Sequence, residues 1–170
     1  NWHTPAAMSL DDIAALKKRF VEATARADRA GFDLIELHGA HGYILAQFLS
    51  PTINQRTDRY GGSLENRSRI IFEIIDGIRQ RCRPGFLLGV RLSPERFDLK
   101  LAEILEVARR LLSEARIDFL DMSLWDSFKE PLEESFQGKT LLSYFTSLDR
   151  GEVRLATAGK INTPEDARRC

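Results

Sequence analysis

Hydrophobic positions along the chain switch repeatedly between two periods. Ile13, Leu16, Phe20, Ala23 and Ala27 recur at helical spacing behind Ser9, with Asp12 set three residues on as in a capping box, and Gly31 can supply the C′ position. Residues 32–38 (FDLIELH) then read as a strand. A second helix is predicted from Ser63 to about Arg81 on Ile70, Ile71, Ile74, Ile75 and Ile78; Pro84 and Gly85 turn the chain into the strand FLLGVRLS. The stretch LKLAEILEVARRLLSEA is a third amphipathic helix, followed by the strand IDFLDMSL, a short helix in TLLSYFTSL and the strand VRLATAG. Thr163 and Pro164 cap and open a last helix. Four strands separated by helices, with no hairpin turn between them, predict right-handed βαβ units and a parallel sheet.

Alternation refines this into an architecture. In the first strand Leu34, Glu36 and His38 share one face while Ile35 and Leu37 share the other; in the second, Gly89, Arg91 and Ser93 oppose Leu88, Val90 and Leu92. One face is apolar, as needed under helices, and the other grows polar towards the strand ends. A doubly wound sheet, covered by helices on both faces, is apolar throughout. A barrel whose interior top holds chemistry fits better. The expected fold class is α/β, an incomplete (β/α)8 barrel of about four βα units. Residues 39–62 form a long loop after the first strand, at the strand end where such folds keep their active sites.

Composition narrows the partners. With 170 residues, zero formal net charge and 43% apolar residues, the chain can bury the core of one domain spanning 1–170. Balanced charge argues against a nucleic-acid binder or an acidic-membrane binder. No apolar run approaches the roughly 18 residues a membrane helix needs, and NWHTPAAMSLDD has no signal-peptide pattern. Cys82 and Cys170 show no CxxC spacing and suit a reducing compartment, so they are read as spectators in a cytoplasmic protein, and no metal set is predicted. The chain lacks an initiator Met and stops at ARRC inside a helical pattern, which reads as a piece of something longer.

The residues around the first strand end are specific. HGAHGYILAQFLSP followed by NQRTDRYGGSLENRSR resembles the signature of the old yellow enzyme family, FMN-dependent ene-reductases on a (β/α)8 barrel. PAAM before the first helix, GVRLS in the second strand and ATAGKINTPEDA near the end match in order, so the resemblance covers nearly the whole chain. It implies that the chain holds barrel strands four to seven, with the first three strands and the eighth absent. It also implies FMN as cofactor, NADH or NADPH as reductant and an electron-poor alkene as substrate. By the same resemblance His38 and His41 hydrogen-bond the carbonyl or nitro oxygen of that alkene, and Tyr43 protonates its α-carbon. Arg91 sits beside the flavin's N1 and C2 carbonyl, Gly159 brings its backbone to the FMN phosphate, and Lys160 stands where a glycine is common.

Several positions carry two readings. Arg91 either contacts flavin or pairs internally with Glu36. Lys160 either adds charge to the phosphate or points to solvent, and Glu165 and Asp166 in the next helix would repel a phosphate there. Tyr60, Gly61, Gly62 and Asn66 are read as shaping the loop and capping the second helix. Trp125 and Phe128 either line a substrate pocket or pack structurally, and His3 receives no role. Four strands of an eight-stranded barrel also leave two open edges, so a homo-oligomer or association through those edges is expected. A non-catalytic half-barrel scaffold is the alternative to an enzyme.

Overall fold

The computed structural model describes residues 6–170; His3 and Pro5 lie outside them. The elements run α1 (Leu10–Arg29), β1 (Leu34–Gly39), α2 (Ile44–Leu49), α3 (Leu64–Arg81), β2 (Leu87–Leu92), α4 (Leu101–Glu114), β3 (Phe119–Ser123), α5 (Leu141–Thr146), β4 (Arg154–Ala158) and α6 (Pro164–Arg169). All strand pairs are parallel, in the order β1-β2-β3-β4. This is the βα alternation that the periodicity predicts.

Helix ends fall where their caps put them. Ser9 and Asp12 form a reciprocal capping box on α1, Ser63 accepts the amide of Asn66 at the start of α3, and Thr163 and Asp166 close a second capping box on α6. One helix departs from the expectation. The segment 39–62 is not loop throughout, because α2 occupies its first half and buries Leu45, Ala46, Phe48 and Leu49. Six residues span fewer than two turns, too few to display a helical repeat, and packing on the core rather than propensity sustains them.

The sheet has one apolar face. Leu37, Val90 and Leu120 form a buried row on the helix side, flanked by Leu88, Leu92 and Met122. Ile70, Ile71, Ile74, Ile75 and Ile78 of α3 and Ile104, Leu105, Ala108, Leu111 and Leu112 of α4 cover it. The opposite face holds Glu36, Gly89, Phe119 and Arg154 in one row and His38, Arg91, Asp121 and Ala156 in the next. Its lower end exposes Leu34 and Leu87.

The rest of segment 39–62 is stitched down by polar groups. Buried Asn54 donates to Phe48 O and Tyr60 O, both at 2.7 Å. Tyr60 is buried, with its hydroxyl donating to Glu73 at 2.7 Å and accepting from Lys17 at 2.9 Å. Gly61 is required by proximity, since a Cβ there would stand 2.0 Å from the Arg56 carbonyl oxygen. Asn66 Nδ2 donates to Gly61 O at 3.1 Å. These contacts agree with the reading of Tyr60, Gly61 and Asn66 as loop-shaping residues.

Candidate active site

The site is built at the C-terminal ends of the strands. His38 is the last interior-facing residue of β1, level with Arg91 of β2 and Asp121 of β3. Two residues past β1, His41 adopts a left-handed conformation (φ 57°), and its amide donates to Ser93 Oγ at 3.1 Å. That turn folds His41 back towards His38, with ring centroids 5.1 Å apart. Tyr43 begins α2 as its N-cap residue and places its ring 5.0 Å from His38. It is 61% exposed. The three sequence-predicted catalytic residues are thus brought together.

Backbone strain gathers on the same rim. Non-glycine residues in the left-handed region are His41 after β1, Arg96, Phe97 and Asp98 after β2, Trp125 after β3 and Lys160 after β4; among the described residues the one other is Ala115, at the end of α4. Such conformations persist where surrounding contacts over-determine them, and they concentrate at functional sites. Here Ser50 Oγ holds Asp98 O at 3.1 Å, and Glu95, buried, pairs with Lys129 and accepts the amide of Leu132 at 2.8 Å. The loops after β2 and β3 are thereby joined. A small cleft between them is lined by His41, Ser93, Arg96, Phe97, Ser123 and Trp125. Of the two candidate aromatics, Trp125 faces this cleft with the Arg96 guanidinium 4.5 Å from its ring, whereas Phe128 lies under Arg169 at 4.1 Å.

Arg91 is paired, but with Asp121 rather than Glu36. Its Nε stands 3.2 Å from Asp121 Oδ2, an ion pair whose angle makes no hydrogen bond, so a buried N–H is left without an acceptor. Its Nη2 reaches Ser123 Oγ at 3.4 Å. Burial and then the Asp121 carboxylate raise the Glu36 carboxyl above its usual range, against the pull of Arg91. Burial, then the nearby His41 and the Arg91 charge, hold His38 below the ordinary histidine value, so it is neutral at pH 7. Neutral imidazole is a hydrogen-bond donor that leaves its proton in place.

An electron-rich ring edge suits this arrangement. The unmatched Nε–H of Arg91 and its positive charge fit a flavin's N1 and C2 carbonyl side. The phosphate end fits less well. A Cβ on Gly159 would meet Asp126 N and Trp125 C at 3.0 Å, so the glycine already serves a close approach within the chain. The Lys160 ammonium is 3.1 Å from Asp126 Oδ2; although burial raises Asp126, that contact lowers its carboxyl overall. Asp121 and Ser123 were not singled out in the sequence. Alternation in FLDMS would have put both on the interior face with Phe119.

The model of the NADH:flavin oxidoreductase / NADH oxidase family matches residues 2–168. A probable NADH-dependent flavin oxidoreductase, YqiG of Bacillus subtilis, is 34% identical over 167 residues, covering 95% of this chain and 45% of that protein. The NADH oxidase of Thermoanaerobacter brockii is 35% identical over 170 residues, 96% of this chain and 26% of that one. Morphinone reductase in complex with tetrahydroNAD superimposes with a TM-score of 0.73 at 32% identity, over 98% of this chain and 43% of the other. The chain thus spans less than half the length of these relatives, in keeping with an incomplete (β/α)8 barrel. By its family match and these relatives, the chain belongs to the FMN-dependent NADH:flavin oxidoreductase / NADH oxidase family, of the old yellow enzyme type.

Proposed function

We propose that this chain is the substrate-activating half of an FMN-dependent ene-reductase that reduces the activated C=C bond of α,β-unsaturated carbonyl or similar small molecules with electrons from NADH or NADPH. The observation that carries the reading is the convergence of His38, His41 and Tyr43 beside Arg91 at one rim of the sheet. FMN, when bound, supplies a hydride for the β-carbon. His38 and His41 donate hydrogen bonds to the substrate oxygen, polarising the alkene and stabilising the enolate as charge develops. Tyr43 gives its phenolic proton to the α-carbon, and its exposure at the rim leaves that hydroxyl open to the substrate. Arg91 offers its unmatched N–H and its charge to the cofactor ring. Gly159, already packed against the Trp125–Asp126 backbone, and Lys160, whose ammonium Asp126 holds, contribute little to the phosphate end. Residues 1–170 act as one partial barrel domain. The outer edges of β1 and β4 are paired by further barrel strands or by another chain.

The test is the charge-transfer band of a phenol bound over oxidised flavin in the full-length protein. His38→Ala with His41→Ala should abolish it, and either change alone should weaken binding by about 1.5–3 kcal/mol, the scale of one hydrogen bond to a charged group. Unchanged affinity in the double variant would remove both histidines from the site.

A further inference from the structure

We propose that Ser123 is a positioning residue that fixes the His41 imidazole in the tautomer with its hydrogen on Nδ1, and so decides which ring nitrogen can donate to a bound oxygen. The proposal rests on the ene-reductase reading only for the identity of that oxygen.

The argument is a hydrogen count. Ser123 Oγ lies 2.6 Å from His41 Nε2 and 3.4 Å from Arg91 Nη2. A guanidinium has donors and no acceptor, so at the Arg91 contact the hydroxyl oxygen accepts. The serine's single hydrogen then has His41 Nε2 as its acceptor. A ring nitrogen that accepts carries no hydrogen, and a neutral imidazole keeps its one N–H on the other nitrogen, Nδ1. The opposite polarity, with Nε2–H donating to Ser123, would leave the hydroxyl hydrogen to solvent and a bare Nδ1, which cannot donate to a bound oxygen. The chain Arg91 N–H to Ser123 O–H to His41 Nε2 matches every hydrogen but the Nδ1–H, which is the one left to donate to a bound oxygen, and each bond polarises the next.

The placement suits a positioning role. Ser123 ends β3 on the interior face, two residues after Asp121, which itself pairs with Arg91. It therefore stands on the sheet rather than on a loop, the more exact kind of support for a reacting group. His41, by contrast, sits in a left-handed turn whose backbone is pinned by Ser93. The ring orientation is left to whatever its nitrogens bond, and Ser123 is the bond that Nε2 makes.

Long-range proton–nitrogen NMR of the FMN-loaded full-length protein, labelled with ¹⁵N-histidine, reads the tautomer directly. Spectra are taken across a pH series and read at its alkaline end, with the His41 signals assigned by their loss in His41→Gln. The wild type should show a protonated Nδ1 and a bare Nε2. Ser123→Ala should give a mixture of tautomers and bind 4-chlorophenol about tenfold more weakly, the scale of one neutral hydrogen bond. Ser123→Thr, which keeps the hydroxyl, should restore both. A wild-type His41 with its hydrogen on Nε2 overturns the proposal, and so does a Ser123→Ala protein whose tautomer is unchanged. Should Ser123→Ala fail to fold, the wild-type spectrum still decides. Absence of a phenol charge-transfer band in a wild type that has the Nδ1–H tautomer would defeat the ene-reductase reading and leave the role of Ser123 standing.

Discussion

Arg67→Ala should destabilise the protein by about 3–5 kcal/mol, the range for breaking a buried ion pair from one side. The side chain is 4% exposed and reaches from α3 to three other segments. Its Nε donates to Gly62 O at 3.0 Å, Nη1 donates to Leu49 O, and Nη1 and Nη2 grip the Glu103 carboxylate of α4 at 3.0 and 2.7 Å. Leu49 ends α2, the helix that Tyr43 begins, and Gly62 ends the loop behind it. The arginine therefore anchors the segment that carries the proposed proton donor. Truncation strips two backbone carbonyls of their donor, at about 1–3 kcal/mol each where burial keeps water away. Glu103, with its side chain 25% exposed, recovers solvent, so its share is discounted. The sum is a large part of a total stability of about 5–15 kcal/mol. Arg67→Lys keeps the charge but loses the fork and should fall between Arg67→Ala and wild type. Urea unfolding of the full-length protein measures all of these beside Arg69→Ala. Arg69, with a side chain 32% exposed, bonds Arg59 O and Asn66 and should cost under about 1 kcal/mol. Equal losses for Arg67→Ala and Arg69→Ala would refute the anchoring argument.

Tyr43→Phe should slow alkene reduction far more than flavin reduction by NAD(P)H, since only the former needs the phenolic proton; stopped-flow traces showing equal loss in both half-reactions would remove Tyr43 from that role. Gly61→Ala puts a methyl 2.0 Å from a backbone oxygen, so it should cost at least about 1–3 kcal/mol and speed proteolysis within residues 51–62, and wild-type stability would contradict the close approach. His38 has a folded-state pKa depressed below its ordinary 6.5, so the folded state resists the proton more than the unfolded chain does. Its contribution to stability is therefore complete above that ordinary value and lost as pH falls through the depressed one. Urea midpoints from about pH 7.5 to 5 should fall faster for wild type than for His38→Gln, and parallel curves would count against the shift.

The order of elements was legible in the sequence because it depends on neighbours along the chain. Ser9, Ser63 and Thr163 cap helices at the positions they mark, and the apolar repeats of α1, α3 and α4 set which side each helix buries. Alternation in ELH and GVRLS by itself places His38 and Arg91 on the polar face. What failed locally was α2, six residues held by the core they cover rather than by any repeat of their own. The partners of the site residues could not be read, because register between strands is set by packing across the whole sheet. Pairing His38 with Arg91 lowers Glu36 to the row of Gly89 and Phe119, and brings Asp121 level with the guanidinium. The same tertiary alignment sets Ser123 against His41 from 82 residues away, turns Lys160 onto Asp126 and fills the space above Gly159 with the chain itself. Local periodicity fixes which face a side chain takes; the distance and angle to its partner exist only once separate strands are aligned in space.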